Sequence, residues 1–201
     1  VTVSDDTITV EDGYGGTDTL EGIEWISGSG SEDTFVSDGR FLFIDGGQGN
    51  DHLTDVAGLS FASASQDLDI DLNDIVNGVL TIDDGYGYVD TVTYTGALDN
   101  ALYLMGGFGN DELTGQNDAH TGFIGLWGND TLDGGQMDVN VDTNSVGYNL
   151  NTEGVYGQIT WDGITLGGDV DKGAAGEDTL INITDLAGSQ HSDNLSVYST
   201  D

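Results

Sequence analysis

Apolar residues recur along this chain in short alternating runs and as single positions between polar ones, a spacing typical of strands rather than of helices. Residues 67–72, DLDIDL, alternate strictly and predict a strand with one apolar face. No segment sustains a helical period with capping residues at its ends. The pattern therefore predicts an all-β chain with little helix.

Three segments of β-forming residues predict hairpins placed ahead of the glycine-rich parts of the chain. They are VTVSDDTITV at 1–10, DIVNGVLTI at 74–82 and QITWDGITL at 158–166. The second contains Asn-Gly at 77–78 and the third contains Asp-Gly at 162–163. Both pairs are typical of two-residue turns, because such turns require residues that tolerate positive φ.

Two segments of the chain return far downstream. ITVEDGYGGTDTL at 8–20 returns as LTIDDGYGYVDTV at 80–92, with seven of thirteen positions identical and an offset of 72. DTLEGIEWISGSGSED at 18–33 returns as DTLINITDLAGSQHSD at 178–193, with seven of sixteen positions identical. Self-similarity of this kind indicates a repeat architecture.

A nine-residue unit underlies these repeats: Gly, Gly, any residue, Gly, a polar residue, Asp, any residue, an apolar residue and any residue. Its clean copies are GGQGNDHLT at 46–54, GGFGNDELT at 106–114 and GLWGNDTLD at 125–133, the last lacking only the second glycine. Looser copies end at Asp18, Asp33, Asp90, Asp178 and Asp193.

Each position of the unit has a physical reason. Glycines allow the backbone angles of a tight turn and the close approach of a neighbouring backbone. The apolar eighth residue (Leu53, Leu113 or Leu132) is flanked by polar ones and alternates as a short half-buried strand does. Turn and strand together form half a coil, so two units make a coil of about eighteen residues.

The spacing of the turn aspartates stacks carboxylates of successive coils. Asp33 and Asp51 are 18 residues apart, Asp111 and Asp130 are 19 apart, and the offset of 72 equals four coils of 18. Coils about 4.8 Å apart bring like charges within about 5 Å, where they repel by roughly 3 kcal/mol at an effective dielectric near 20. A handful of such pairs would cancel a typical stability of about 5–15 kcal/mol.

Calcium removes this repulsion. It takes about six to eight oxygen ligands at about 2.3–2.6 Å, which fits the gap between two coils, whereas magnesium prefers a smaller octahedron and keeps its waters. The chain has 30 Asp but only 7 Glu, and the short Asp side chain holds its oxygens close to the turn. Carboxylates and the carbonyls of the glycine turns are the candidate ligands for several calcium ions: Gly46, Gly47, Gly49, Asp51, Asp33, Gly106, Gly107, Gly109, Asp111, Gly125, Gly128, Asp130, Asp18, Asp90, Asp118, Asp178 and Asp193.

These motifs resemble the RTX family, the hemolysin-type calcium-binding repeats with the consensus GGxGxDxUx. Roughly half the chain shows the resemblance, over 13–54, 84–138 and 173–198. The resemblance implies a parallel β-roll, or β-solenoid, with calcium held between its turns, here with irregular coils and inserted β-hairpins. It also implies a bacterial protein that is exported unfolded through a type I secretion channel and folds on meeting external calcium.

The charge of the chain excludes several classes of partner and activity. Two basic residues, Arg40 and Lys172, oppose 37 acidic ones, and a net charge of −35 excludes binding to nucleic acid or to an anionic membrane surface. The absence of cysteine excludes a disulfide framework and a thiol nucleophile. No apolar run approaches the roughly 18 residues that span a bilayer, so no membrane insertion is expected. The three histidines stand apart without an HExxH pairing, and we expect no enzymatic activity.

These observations lead to one principal hypothesis and several alternatives. We expect one elongated RTX-like array over 1–201, with sub-blocks at about 1–72, 73–138 and 139–201, as a piece of a longer protein. Its expected role is structural or adhesive, in a secreted bacterial cell-surface protein such as an adhesin, a surface-layer (S-layer) subunit or an extracellular filament.

The main alternative is a non-catalytic, calcium-dependent glycan-binding or accessory module of an extracellular enzyme. Partners beyond calcium are then cell-surface polysaccharide or copies of the chain itself. Adaptation to high salt would explain the acidity alone, and the looser aspartates could instead bond to the backbone of their own turns.

Overall fold

The computed structural model describes residues 1–4, 7–11, 16–38, 42–96, 101–136, 143–161 and 165–199. Within these ranges the chain is all-β, as predicted, and its helical content is limited to two single 3-10 turns at Leu72–Asp74 and Gly173–Ala175. The strands are β1 Thr2–Ser4, β2 Thr7–Glu11, β3 Thr17–Glu21, β4 Trp25–Ser27, β5 Thr34–Val36, β6 Phe43–Asp45, β7 His52–Thr54, β8 Gly58–Ser60, β9 Asp69–Asp71, β10 Val79–Asp83, β11 Val89–Thr93, β12 Leu102–Met105, β13 Glu112–Thr114, β14 Thr121–Ile124, β15 Thr131–Asp133, β16 Asn144–Gly147, β17 Tyr156–Trp161, β18 Leu166–Asp171, β19 Glu177–Ile183, β20 Asp185–Ala187 and β21 Asn194–Ser199.

The described strands form three seven-stranded sheets. In the parallel sheet, with the order β20-β16-β14-β12-β8-β6-β4, every neighbouring pair is parallel. The first mixed sheet has the order β10-β11-β7-β5-β1-β2-β3, and the second mixed sheet has the order β21-β17-β18-β19-β15-β13-β9. Each mixed sheet contains a run of four parallel strands next to antiparallel ones. The parallel sheet takes strands from all three predicted sub-blocks.

Strands that are one repeat apart in the sequence lie side by side. Phe35 pairs with Leu53, and Leu113 pairs with Leu132, both in parallel register. These are the spacings of 18 and 19 residues that the turn aspartates predicted. Leu132 then pairs with Leu180 across an insertion that contains β16 to β18. The parallel register of the strands is therefore kept across insertions that hide it in the sequence.

The core is built from these paired positions. The eighth residues of the clean repeats, Leu53, Leu113 and Leu132, are 3%, 0% and 0% exposed and lie in three-residue strands, as predicted. The alternating segment 67–72 buries its apolar face through Leu68, Ile70 and Leu72, although its strand spans only Asp69–Asp71. Complete burial of one leucine side chain contributes roughly 1.5–3 kcal/mol, so the core opposes the charge repulsion substantially.

Antiparallel hairpins flank the parallel runs of the two mixed sheets. β1 pairs with β2, and β17 pairs with β18, which confirms the hairpins predicted over 1–10 and 158–166. The turn residues 162–163 lie outside the described residues. At 77–78 the predicted tight turn is present, because Asn77 and Gly78 have φ of 54° and 78° and Val76 bridges Val79. The strand that follows, β10, finds its main partner in β11 rather than in the segment before the turn.

The repeat with an offset of 72 is a repeated hairpin. Ile8 pairs with Leu20 in the β2–β3 hairpin, and Leu80 pairs with Val92 in the same register of the β10–β11 hairpin. The interpretation of this offset as four coils of eighteen residues was therefore wrong. Both segments place alternating β-formers on their paired strands, as antiparallel pairing favours.

No described helix has the length and apolar character needed to cross a membrane.

Candidate cation site

Two ladders of aspartates connect neighbouring parallel strands. In the first ladder, the backbone N–H of Asp33 donates to Asp51 Oδ1 at 2.7 Å, and the N–H of Asp51 donates to Asp90 Oδ1 at 2.9 Å. The predicted stacking of Asp33 with Asp51 is confirmed. Asp90 joins the ladder although 39 residues separate it from Asp51, because β11 pairs in parallel with β7.

The second ladder has the same geometry. The N–H of Asp111 donates to Asp130 Oδ1 at 3.0 Å, and the N–H of Asp130 donates to Asp178 Oδ1 at 3.2 Å. The predicted stacking of Asp111 with Asp130 is therefore confirmed as well. Each accepting carboxylate offers one oxygen to the backbone of a neighbouring segment, which leaves the other oxygen for a further partner.

A third ladder of the same kind, made of asparagines, was not predicted from the sequence. Asn110 Oδ1 accepts the N–H of Asn129 at 2.9 Å, and Asn129 Oδ1 accepts the N–H of Glu177 at 2.9 Å. Asn50 Oδ1 likewise accepts the N–H of Val89 at 3.0 Å. The signal was present, because asparagine occupies the fifth position of all three clean repeats. These amides join neighbouring segments without adding charge.

The first glycine of the repeat makes room for the repeat's own aspartate. A Cβ on Gly125 would lie 2.5 Å from Asp130 Oδ2. Added Cβ atoms on Gly46 and Gly106 would likewise overlap the Oδ2 atoms of the aspartates five residues later. The carboxylate thus folds back over its own turn, and any side chain at the first position would displace it.

The other glycines of the repeat allow neighbouring turns to approach closely. A Cβ on Gly49 would lie 2.6 Å from Ser31 C, and one on Gly109 would lie 2.5 Å from Gln66 O. The predicted ligand glycines Gly47, Gly107 and Gly128 face neighbouring backbone oxygens in the same way. Their demonstrated role is therefore steric, and calcium ligation by their carbonyls stays a prediction.

Four buried aspartates form an acidic cluster beside the first ladder: Asp45, Asp51, Asp84 and Asp90, which are 3%, 0%, 1% and 2% exposed. Burial raises the pKa of Asp51 to about 6 and that of Asp90 to about 7. The charges of Asp45 and Asp84 raise both pKa values further, so the four carboxylates act on one another. Among the described residues, Asp51 Oδ2 and Asp84 Oδ2 have no hydrogen-bond partner.

A neighbouring side chain explains why Asp51 Oδ2 has no hydrogen-bond partner. In the repeat at 106–114, the N–H of Gly107 donates to Asp111 Oδ2 at 2.8 Å and completes that carboxylate. The corresponding N–H of Gly47 donates instead to Asp45 Oδ1 at 3.0 Å. Asp45 thus diverts the donor that would otherwise satisfy Asp51. Neither Asp45 nor Asp84 was predicted as a site residue, because both lie outside the sixth position of the repeat.

The second ladder contains a buried cation of its own. The Lys172 ammonium lies 2.8 Å from Asp130 Oδ2 and 2.6 Å from Asp178 Oδ1, and it donates to the carbonyl of Leu126 at 2.9 Å. Burial, followed by the charge of Asp178, raises the pKa of Asp130 to about 7, while Lys172 acts in the opposite direction. Sequence reasoning did not assign Lys172 a role in the site.

The remaining predicted ligands lie apart from both ladders. Asp18 is exposed in β3, where it pairs with Val10 in the antiparallel hairpin. Asp118 is exposed with φ of 56°, and its N–H donates to the carbonyl of Gln136. Asp193 is exposed and accepts the Ser189 hydroxyl at 2.6 Å, a hydrogen bond that lowers its pKa. Asp193 fits the alternative of an aspartate that bonds within its own turn, although its Oδ1 also accepts the Val155 N–H at 2.9 Å. The contacts of Asp18 and Asp118 do not test that alternative.

The described residues contain no group of three or more His, Cys, Asp or Glu side chains already arranged to hold a metal ion. A cation at the acidic cluster would therefore draw part of its coordination from backbone carbonyls, which calcium accepts readily. Comparison of the chain with models of known protein families found no match, and a search of curated proteins found no similar sequence.

Proposed function

We propose that this chain is an RTX-type β-roll module that binds calcium at its acidic cluster and couples that binding to folding. The observation that carries the proposal is the pair of buried, partnerless oxygens, Asp51 Oδ2 and Asp84 Oδ2, in a cluster of four buried carboxylates. A buried ionised group without a partner is costly, and a bound cation is the direct compensation.

The chemistry of the cluster suits calcium. Asp45, Asp51, Asp84 and Asp90 offer only hard carboxylate oxygens, and calcium prefers such ligands in irregular arrangements of about six to eight oxygens. A bound calcium ion supplies two positive charges and no redox chemistry. The Asp51 N–H already fixes one oxygen of Asp90, so part of the ligand set is ordered by the backbone.

The strand pairings support the β-roll. From β4 to β8 the chain alternates between the parallel sheet and the first mixed sheet, and neighbouring coils pair in parallel register. Because calcium then binds the folded chain and not the unfolded one, its binding free energy becomes folding free energy. Such a module would fold outside the cell, where calcium is abundant, and would serve as a structural or adhesive part of a bacterial surface protein.

The test compares the chain in millimolar calcium, in millimolar magnesium and in chelator. Circular dichroism should show more strand and a higher melting temperature in calcium alone, and isothermal titration calorimetry should show calcium binding. The double variant Asp51→Asn, Asp84→Asn should lose most of the calcium effect. Asp69→Asn is the matched control, since Asp69 is an exposed strand aspartate outside the cluster. Equal strand content and melting temperature in calcium and in chelator would overturn the proposal.

A second function is favoured by one groove on the parallel sheet. It has a volume of about 420 Å³ and contains Trp25, Phe43 and Tyr103, with Glu24 and Asn149 among its polar lining residues. Trp25 is 44% exposed, and Phe43 and Tyr103 lie edge to face with ring centroids 6.4 Å apart. Aromatic faces beside polar groups are what a neutral glycan would stack on, so the groove supports the accessory-module alternative.

Glycan arrays probed with the wild-type chain and with Trp25→Ala would decide this second function. Trp127→Ala is the matched control, because Trp127 is similarly exposed but lies outside the groove. Binding that Trp25→Ala alone abolishes would support a glycan site, and absence of binding by the wild-type chain, in calcium and in chelator alike, would refute it.

A further inference from the structure

Lys172 is the only lysine of a chain with 37 acidic residues, and its side chain is buried. Its ammonium contacts three oxygens: the Leu126 carbonyl, Asp130 Oδ2 and Asp178 Oδ1. One backbone carbonyl and two carboxylates are the donors that calcium itself prefers. The lysine therefore sits in a ligand set built for a hard cation.

The two ladders allow a direct comparison of equivalent junctions. In the first, the N–H of Asp51 donates to Asp90 Oδ1; in the second, the N–H of Asp130 donates to Asp178 Oδ1. At the first junction Asp51 Oδ2 has no described partner, whereas at the second the corresponding oxygen, Asp130 Oδ2, is bound by Lys172. Three of the four carboxylate oxygens at the second junction are thus engaged, and Asp178 Oδ2 alone has no partner there.

The fold delivers the lysine through an insertion. Lys172 follows the β17–β18 hairpin, and its N–H donates to the Gly176 carbonyl across a single 3-10 turn. A hydrogen bond joins that turn to the repeat at 125–133, since Gly128 donates its N–H to the Ala175 carbonyl at 2.8 Å. Leu126, whose carbonyl receives the ammonium, occupies the second glycine position of its repeat and keeps a left-handed φ of 64°.

We propose that the Lys172 ammonium replaces a bound metal ion at the junction of Asp130 and Asp178, so that the chain itself supplies the cation at this junction. The inference rests on the proposed calcium binding at the acidic cluster, and it adds that the two ladders use different cations. The first ladder depends on external calcium, and the second carries its own cation. A buried ammonium paired with two carboxylates cannot be removed by a chelator, so the second ladder keeps its structure when calcium is withdrawn.

Calcium stoichiometry of Lys172→Met tests this inference. Isothermal titration calorimetry should find one more calcium ion bound per chain in Lys172→Met than in the wild type. In chelator the variant should lose strand signal relative to the wild type, and millimolar calcium should restore it. The double variant Lys172→Met, Asp178→Asn should lose the extra ion, because one of its two carboxylates is gone.

The outcomes separate this inference from the proposed function. Equal calcium stoichiometry in the wild type and in Lys172→Met would overturn the inference and leave calcium binding at the acidic cluster intact. Calcium binding by Lys172→Met but not by the wild type would support the inference and refute the proposed function. A variant that stays unfolded even in millimolar calcium would overturn the inference, because calcium would then be unable to take the place of the ammonium.

Discussion

The substitution Asp51→Asn should have opposite effects in chelator and in calcium. Asp51 is completely buried, and burial raises its pKa from 3.8 to about 6. Each pKa unit corresponds to about 1.4 kcal/mol, so keeping this carboxylate ionised at pH 8 costs the folded state roughly 3 kcal/mol. Asparagine removes the charge and keeps the Oδ1 that accepts the Asp33 N–H.

The new amide hydrogens of asparagine must find partners in a buried place, which offsets part of the gain. In chelator at pH 8 we therefore expect Asp51→Asn to raise the free energy of unfolding by about 1–2 kcal/mol. In calcium the same change removes a ligand, and the calcium concentration at the folding midpoint should rise at least about tenfold, equivalent to 1.4 kcal/mol.

Urea unfolding followed by circular dichroism, at pH 8 in chelator and across a calcium series, measures both effects. Asp69→Asn serves again as the control and should leave both quantities nearly unchanged, because its side chain is exposed. A loss of stability of similar size in chelator and in calcium would refute the reasoning, since it would show that the Asp51 carboxylate stabilises the fold without a cation.

Three further predictions concern the chain in chelator. Burial raises the pKa of Asp90 to about 7 and that of Asp111 to about 6, so the folded chain binds more protons than the unfolded one. Its free energy of unfolding should therefore rise as the pH is lowered from 8 to 5. Urea midpoints that fall over this range would contradict the burial argument. Gly46→Ala should lower the free energy of unfolding in urea by about 2 kcal/mol or more, because the new Cβ would overlap a carboxylate. Gly22→Ala should lower it by only about 1–2 kcal/mol, because Gly22 has open space around it and its φ of 65° alone is unfavourable for alanine. Leu113→Ala should cost about 2–5 kcal/mol in the same assay, because Leu113 is 0% exposed, and a cost below 1 kcal/mol would show that this strand does not pack in the core.

The sequence predicted those parts of the fold that local chemistry determines. The repeat spacing correctly paired Asp33 with Asp51 and Asp111 with Asp130, because no inserted hairpin separates the two members of either pair. The alternating apolar positions correctly placed Leu53 and its counterparts in the core. These predictions were confirmed because strand alternation and repeat length act within about twenty residues.

The contacts that were missed depend on register across insertions. Asp178 stacks on Asp130 after 48 residues that contain a hairpin, and no periodicity in the sequence marks that distance. Asp84 enters the acidic cluster from the turn between β10 and β11, away from the aspartate position of the nine-residue unit. The position of Lys172 could not be predicted for the same reason, since only the pairing of β18 with β19 places it beside the second ladder. Tertiary pairing decides such contacts, and a single sequence carries no local signal for them.

The most direct test of the account is an anomalous difference map from crystals grown in millimolar calcium. The account predicts a peak within about 2.3–2.6 Å of Asp51 Oδ2, beside Asp84, and no peak between Asp130 and Asp178, where Lys172 lies. An acidic cluster without a peak, whose carboxylates bond only to protein and water at saturating calcium, would contradict it.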